Sequence, residues 1–265
     1  MIVAGAVAAI LIFGFFINLE RQEKKLMKRF DSSLDSIQDF LDTVSRKEYT
    51  DRKNFPAGLL EGGRTEIENS YEAINELNQL DLKKKNLGKK LTANLWPLKN
   101  GGELKLEKIL ADLKSVEKEI SWWLYFQEGI KDILVYDPAI DLKNRSAQEE
   151  KRDFIFRLYF AKAGLLKAGG HLEEASLASG DKNRLNQLAV QIESIIETID
   201  SLIIAADKNK LGESDRLRQR YIIQAGELKK DAAAAAAQAY TESRFPSLAL
   251  KLNQLISDLP DARKQ

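Results

Sequence analysis

The sequence predicts an all-α protein: an N-terminal transmembrane helix that continues into a stalk helix, followed by an antiparallel helical bundle of about five to seven helices. Three observations carry that expectation. Apolar residues recur every three or four positions along most of the chain, in a background rich in Leu, Lys, Ala and Glu. Only five Pro and fifteen Gly interrupt 265 residues, and no stretch alternates with the period of a strand. The opening residues, 1–18, carry no charged side chain. With 44% apolar residues the remainder has enough material for a sizeable core.

The first element is the apolar run. Residues 1–17 would span roughly 25 Å as a helix, slightly under the hydrocarbon thickness of a bilayer. A cleaved leader would carry basic residues first and small residues last. Here the small residues at 5–9 come first and bulky Phe13, Phe15 and Phe16 come last, so a retained anchor is expected. Arg21, Lys24, Lys25, Lys28 and Arg29 come directly after it. Such a collar marks the cytoplasmic flank, which puts the N-terminus outside and the bulk of the chain in the cytoplasm at the cell membrane. Small residues at Ala4/Ala8 and Gly5/Ala9 would let two anchors pack, making a homo-oligomer possible; plain lipid-facing filler is the simpler role.

No Gly or Pro separates the anchor from the stalk, and Leu26, Phe30, Leu34, Ile37, Leu41 and Val44 form an amphipathic stripe. The helix is therefore expected to run unbroken to about Arg46. A loop over 47–63 contains Phe55-Pro56-Ala57-Gly58 and Gly62-Gly63. Thr65 and Glu68 have capping-box spacing ahead of a second stripe, Ile67, Tyr71, Ile74, Leu77 and Leu80. If this helix returns antiparallel to the first, it brings the lysines of LKKKNLGKKL, Lys83, Lys84, Lys85, Lys89 and Lys90, back to the headgroup level. Trp96 would rest in the interface beside them. A solvated helix end with cations on its C-terminal dipole explains the same lysines without lipid.

After Gly101-Gly102 a third helix carries Leu106, Ile109, Leu113, Val116, Ile120 and Trp123 or Leu124 and ends before Asp137-Pro138. Ser146 and Glu149 open a fourth, with Phe154, Leu158, Ala161 and Leu165 inward, expected to stop at Gly169-Gly170 and give way to a turn over 172–177. Leu185, Leu188, Ile192, Ile195, Ile199 and Leu202 define a fifth. A sixth, from about Ser214, holds Leu217, Tyr221, Leu228 and the alanine run 232–237. Phe245-Pro246 leads into a short seventh with Leu248, Leu252, Leu255 and Leu259. The expected domains are an anchor at 1–18, a stalk hairpin at 19–95 and a bundle at 103–260.

Chemistry is sparse. The chain has no Cys and one His, His171, so thiolate catalysis, disulfides and the usual Cys-based zinc sites are excluded. Asp137 and Asp141 sit four apart around Pro138, but the EF-hand pattern is absent and turn-making Asp-Pro explains the first without a cation. His171 lacks a triad partner in sequence, and no phosphate loop, dinucleotide fingerprint or nucleophile elbow is present. With 41 basic and 40 acidic residues, no field gathers nucleic acid. Neither a cofactor nor a metal is expected. Trp122, Trp123, Tyr125 and Phe126 cannot all face one side of a helix, which makes them either core or a partner surface.

These features point to a single-pass, membrane-anchored helical scaffold or protein-interaction module at the cytoplasmic face. It would have an unidentified protein partner and no catalysis. The alternative is an extracytoplasmic helical-bundle ligand sensor, or an envelope, pilus or secretion assembly component. The basic collar argues against that placement.

Overall fold

A computed structural model of the chain describes the backbone of residues 2–46, 55–86, 103–136, 147–179 and 185–257. Among the described residues there are seven helices and no strand: α1 Ile2–Val44, α2 Ala57–Asn86, α3 Glu103–Val135, α4 Ala147–Ser179, α5 Asn186–Asp207, α6 Leu211–Thr241 and α7 Phe245–Ser257. The all-α expectation holds. Among the described residues, however, no helix is long and apolar enough to cross a membrane. From residue 17 onward α1 is amphipathic, with most charges on one face and mainly apolar residues on the other, where Glu23 and Ser33 are also buried, so that part of it suits packing and not lipid. The expected span rests on residues 1–16, whose side chains lie outside the described set.

The chain divides into two compact units. The first comprises Met1–Arg46, Pro56–Glu117 and Arg244–Gln265, and the second Lys47–Phe55 and Lys118–Ser243. The stretch 95–102, where the sequence suggests a divide, lies outside the described residues.

In the first unit, α1 packs on α2 and on α7. Phe30, Leu34, Ile37, Leu41 and Val44 of its stripe are buried. They meet Ile67, Ile74, Leu77 and Leu80 of the second stripe, which are buried as well. Phe40 adds an edge-to-face contact with Phe245 of α7, ring centroids 5.7 Å apart. Tyr71 reaches α3, its hydroxyl donating to Glu117 Oε2 at 3.2 Å. Burial, and then the neighbouring carboxylate, push this phenol well above the usual tyrosine range.

The expected loop over 47–63 is shorter than the sequence suggests. Helix α2 begins directly after Pro56, whose carbonyl accepts from the N–H groups of Leu59 and Leu60 at 2.9 and 3.1 Å. Gly62 and Gly63 thus lie inside the helix, and Thr65 is not its cap. The Thr65 hydroxyl instead donates back to the Glu61 carbonyl at 3.0 Å. Gly63 is buried, and its missing Cβ leaves room for the Phe40 ring.

A second correction concerns Gly169-Gly170, which does not stop α4. The helix runs on to Ser179, and 172–177 forms its last turns instead of a loop. Ala168, Leu172 and Ala175 are buried through this stretch, and packing outweighs the roughly 1 kcal/mol that each glycine costs a helix.

The second unit is built around α5. Leu188, Ile192, Ile195, Ile199 and Leu202 are all buried. A short turn joins α5 to α6, with Asn209 at φ 54° and the Lys210 N–H on the Ala205 carbonyl at 2.9 Å. The two helices then run antiparallel. Gln187 and Gln191 both donate to Asp231 Oδ2, at 3.1 and 2.7 Å, while Gln224 bonds Ser194 and Thr198 further along. On the other side, α4 is tied to α5 by Lys162 with Asp200 at 2.7 Å and by Lys151 with the Asp207 carbonyl at 2.6 Å. Tyr136 and Tyr221 hydrogen-bond through their hydroxyls in the interior.

Candidate functional site

The aromatic run on α3 folds inward. Trp122, Trp123 and Phe126 are buried, and only Tyr125 is exposed, at 37%. Trp123 is enclosed by Phe55 and Tyr240, with centroids 4.6 and 4.7 Å away. Trp122 stacks on Phe126 at 4.5 Å. The indole N–H of Trp123 donates to Glu119 Oε1, one turn earlier, at 2.9 Å. Gln127 completes the cluster: its Oε1 accepts from the Phe55 backbone N–H at 2.9 Å and from the Tyr240 hydroxyl at 3.1 Å. Burial pushes the Tyr240 phenol up to about 12. Of the four aromatics that the sequence left as either core or a partner surface, three are buried, because the face of α3 they share is the one that packs. Phe55, in the segment before α2, is the member that helical periodicity could not reveal.

The residues expected at a membrane surface divide three ways. Arg21, Lys24, Lys25 and Lys28 are exposed on α1. Arg29 is half-buried and held by α2, with Glu72 at 2.7 Å and Glu76 at 3.2 Å. Lys83, Lys84 and Lys85 belong to the end of α2, their side chains outside the described set, while Lys89, Lys90 and Trp96 lie outside the described residues altogether.

Two contacts nevertheless fix the register. Arg29 lies against Glu72 and Glu76, and Phe40 lies against Gly63, so α1 and α2 run antiparallel. Followed at equal rise to its end, α2 brings the backbone of Lys83, Lys84 and Lys85 level with roughly residues 18–20 of α1. That is where the uncharged run ends and the basic collar begins.

Elsewhere the polar chemistry is thin. His171 lies inside α4, not at a helix end, with Nδ1 3.2 Å from Asp132 Oδ2 of α3. Lys167 approaches the same oxygen at 3.2 Å. The pair has the look of a base and its orienter, yet neither buried atom makes a well-formed hydrogen bond. Among the described residues no group of three or more His, Asp or Glu is placed to hold a metal. Asp137 and Asp141 lie outside the described residues.

A groove of about 510 Å³ runs between α4 and α5. Leu166, Leu177 and Ile196 line it, Gly169 and Gly170 open its floor, and Glu173 and Glu193 supply its carboxylates. The glycines that the sequence suggested as a helix stop lie in the wall of this groove. On the same helix, Phe156, Tyr159 and Phe160 are exposed at 63%, 56% and 69%. Of the residues that periodicity assigns to the core, Phe154, Leu158 and Leu165 join it and Ala161 is half-buried. The signal for the second apolar face was present in the same run, DFIFRLYF.

No family model matches the chain, and no curated protein or solved structure matches it either.

Proposed function

We propose that the chain is a single-pass membrane protein whose helical body stands at the cytoplasmic face as a scaffold, positioning a protein partner and catalysing nothing. The anchor is the uncharged run at 1–18. The observation that carries the reading is the register of the α1–α2 hairpin. It brings a second basic segment, beginning at Lys83, level with residues 18–20, where the uncharged run ends and the collar of Arg21, Lys24, Lys25 and Lys28 begins. Anionic headgroups attract each such cation by about 1 kcal/mol.

The role as a scaffold is supported by what the helices offer. Their interior is filled by side chains, their ion pairs tie helix to helix, and the concave surface between α4 and α5 is apolar with carboxylates, which suits a basic amphipathic segment of a partner. The same groove favours the second reading, a ligand-binding domain outside the cell, and sidedness separates the two.

Alkaline extraction of membranes from cells expressing the full chain is the test of anchoring. The chain is expected to stay with the lipid, and a version lacking residues 1–18 to be released. Release of the full chain contradicts the proposal. In the retained chain, changing Lys83, Lys84, Lys85, Lys89 and Lys90 to Gln is expected to reduce the protection that anionic vesicles give the α2 end against a protease that does not cut at lysine. Equal protection removes the lysines from the account.

A further inference from the structure

We infer that the exposed face of α4 between residues 152 and 167 is a second membrane contact, which lies flat on an anionic lipid surface independently of the anchor. The inference deepens the proposed function and rests on its placing the body beside a bilayer. Its starting point is the helix itself. Phe154, Leu158 and Leu165 point into the core. At 3.6 residues per turn, Arg152, Phe156, Tyr159, Phe160, Ala163, Leu166 and Lys167 fall on the opposite side, within about 120° of arc. Every one of them is exposed, and Arg157, also exposed, stands at the edge of the stripe.

A solvated face at these positions would carry mixed charges. This one carries three aromatic rings, a leucine and three cations, and between 151 and 167 no carboxylate is exposed. Asp153, the acid of this stretch, is half-buried. The neighbouring carboxylates of α5 are already engaged, Asp200 by Lys162 and Asp207 by Lys151. Phe156 and Phe160 lie ring against ring, centroids 5.4 Å apart, as a single apolar ridge. Beyond Gly170 the exposed residues turn acidic, Glu173 and Glu174, so the basic and aromatic character is confined to the first part of the helix.

Aromatic rings beside Arg and Lys on one side of an otherwise packed helix are the composition that settles into a headgroup layer, rings toward the acyl boundary and cations on phosphate. A second copy of the same face is the poorer occupant. It would set Arg152 and Arg157 against like charges, with Lys167 already beside Asp132 of α3. A tethered body also needs little intrinsic affinity, since the anchor holds it at high local concentration.

The absence of cysteine permits a direct experiment on the full chain. Single variants Ile17→Cys, Ala163→Cys and Glu227→Cys are labelled with an environment-sensitive fluorophore and reconstituted in vesicles containing nitroxide-bearing lipid. One set is phosphatidylcholine, the other phosphatidylcholine with phosphatidylglycerol. The label at 163 is expected to be quenched in the anionic vesicles and not in the neutral ones, with the label at 227 on α6 unaffected in both. Each unpaired cation contributes a several-fold preference for an anionic surface. Changing Arg152, Arg157 and Lys167 to Gln, with helical circular dichroism unchanged, is therefore expected to return quenching at 163 to the neutral level.

The label at 17 keeps the two readings apart. Quenching at 17 without quenching at 163 overturns the α4 contact and leaves the anchor standing. Quenching at 163 without quenching at 17 supports the contact and contradicts the anchor. A pyrene label at 163 that forms excimers while escaping lipid quenching overturns the contact in favour of a second copy.

Discussion

Gly63 of α2 lies so close to Phe40 of α1 that a methyl group added at Gly63 would stand 2.9 Å from three carbons of the ring. Gly62, one residue earlier on the same helix, has open space where its Cβ would be. These neighbours separate two effects that usually travel together. Gly62→Ala is expected to raise stability by up to about 1 kcal/mol through helix propensity alone. Gly63→Ala gains the same propensity but forces the ring into its neighbours, at a cost of about 1–3 kcal/mol, so it is expected to be neutral to destabilising. Urea unfolding of both variants checks the sign of the difference. Phe40→Leu in the Gly63→Ala background is expected to recover part of the loss.

Gln127 joins two parts of the second unit through one oxygen, which accepts from Phe55 N–H and Tyr240 O–H. Gln127→Leu keeps the bulk and takes this acceptor away from both donors. Its expected cost is about 1–3 kcal/mol, read from the shift in urea midpoint. Tyr125→Ala, at an exposed position on the same helix, is expected to stay within about 0.5 kcal/mol of the parent.

The Tyr240 phenol ionises near 12 in the folded chain because burial disfavours its charged form. Its unfolded counterpart ionises near 10. Between those values the unfolded chain has lost a proton that the folded chain keeps. Stability contributed by this group is therefore whole below pH 10 and lost as pH rises toward 12. Tyr71, raised as well, adds to the same trend. Tyrosinate absorbance is expected to rise in two phases, the later one coinciding with loss of helical circular dichroism. In Tyr240→Phe the later phase loses amplitude; an unchanged profile contradicts the assignment.

The helices and their buried faces were legible in the sequence because spacing every three or four residues leaves little freedom. Ile192, Ile195, Ile199 and Leu202 repeat at that interval, and all are buried. What spacing could not convey was which glycines break a helix. Gly62 and Gly63 read as loop and Gly169 and Gly170 as a stop, yet each lies within a helix, and a contact such as Phe40 on Gly63 depends on a segment distant in sequence. Phe55 was hidden for a related reason, since it enters the Trp123 cluster from outside any helix. The exposed rings of Phe156, Tyr159 and Phe160 were hidden differently. A helix apolar on two faces gives no single stripe, and only the packing of Phe154 and Leu158 shows which face is left over.

Sidedness tests the central claim most directly. In intact cells expressing full-length single-cysteine variants, a membrane-impermeant maleimide is expected to label a cysteine at residue 2. It is expected to leave Tyr125→Cys and Glu227→Cys unlabelled until the cells are opened. Labelling of the 125 and 227 positions in intact cells, with protection at residue 2, would place the helical body outside and contradict the account.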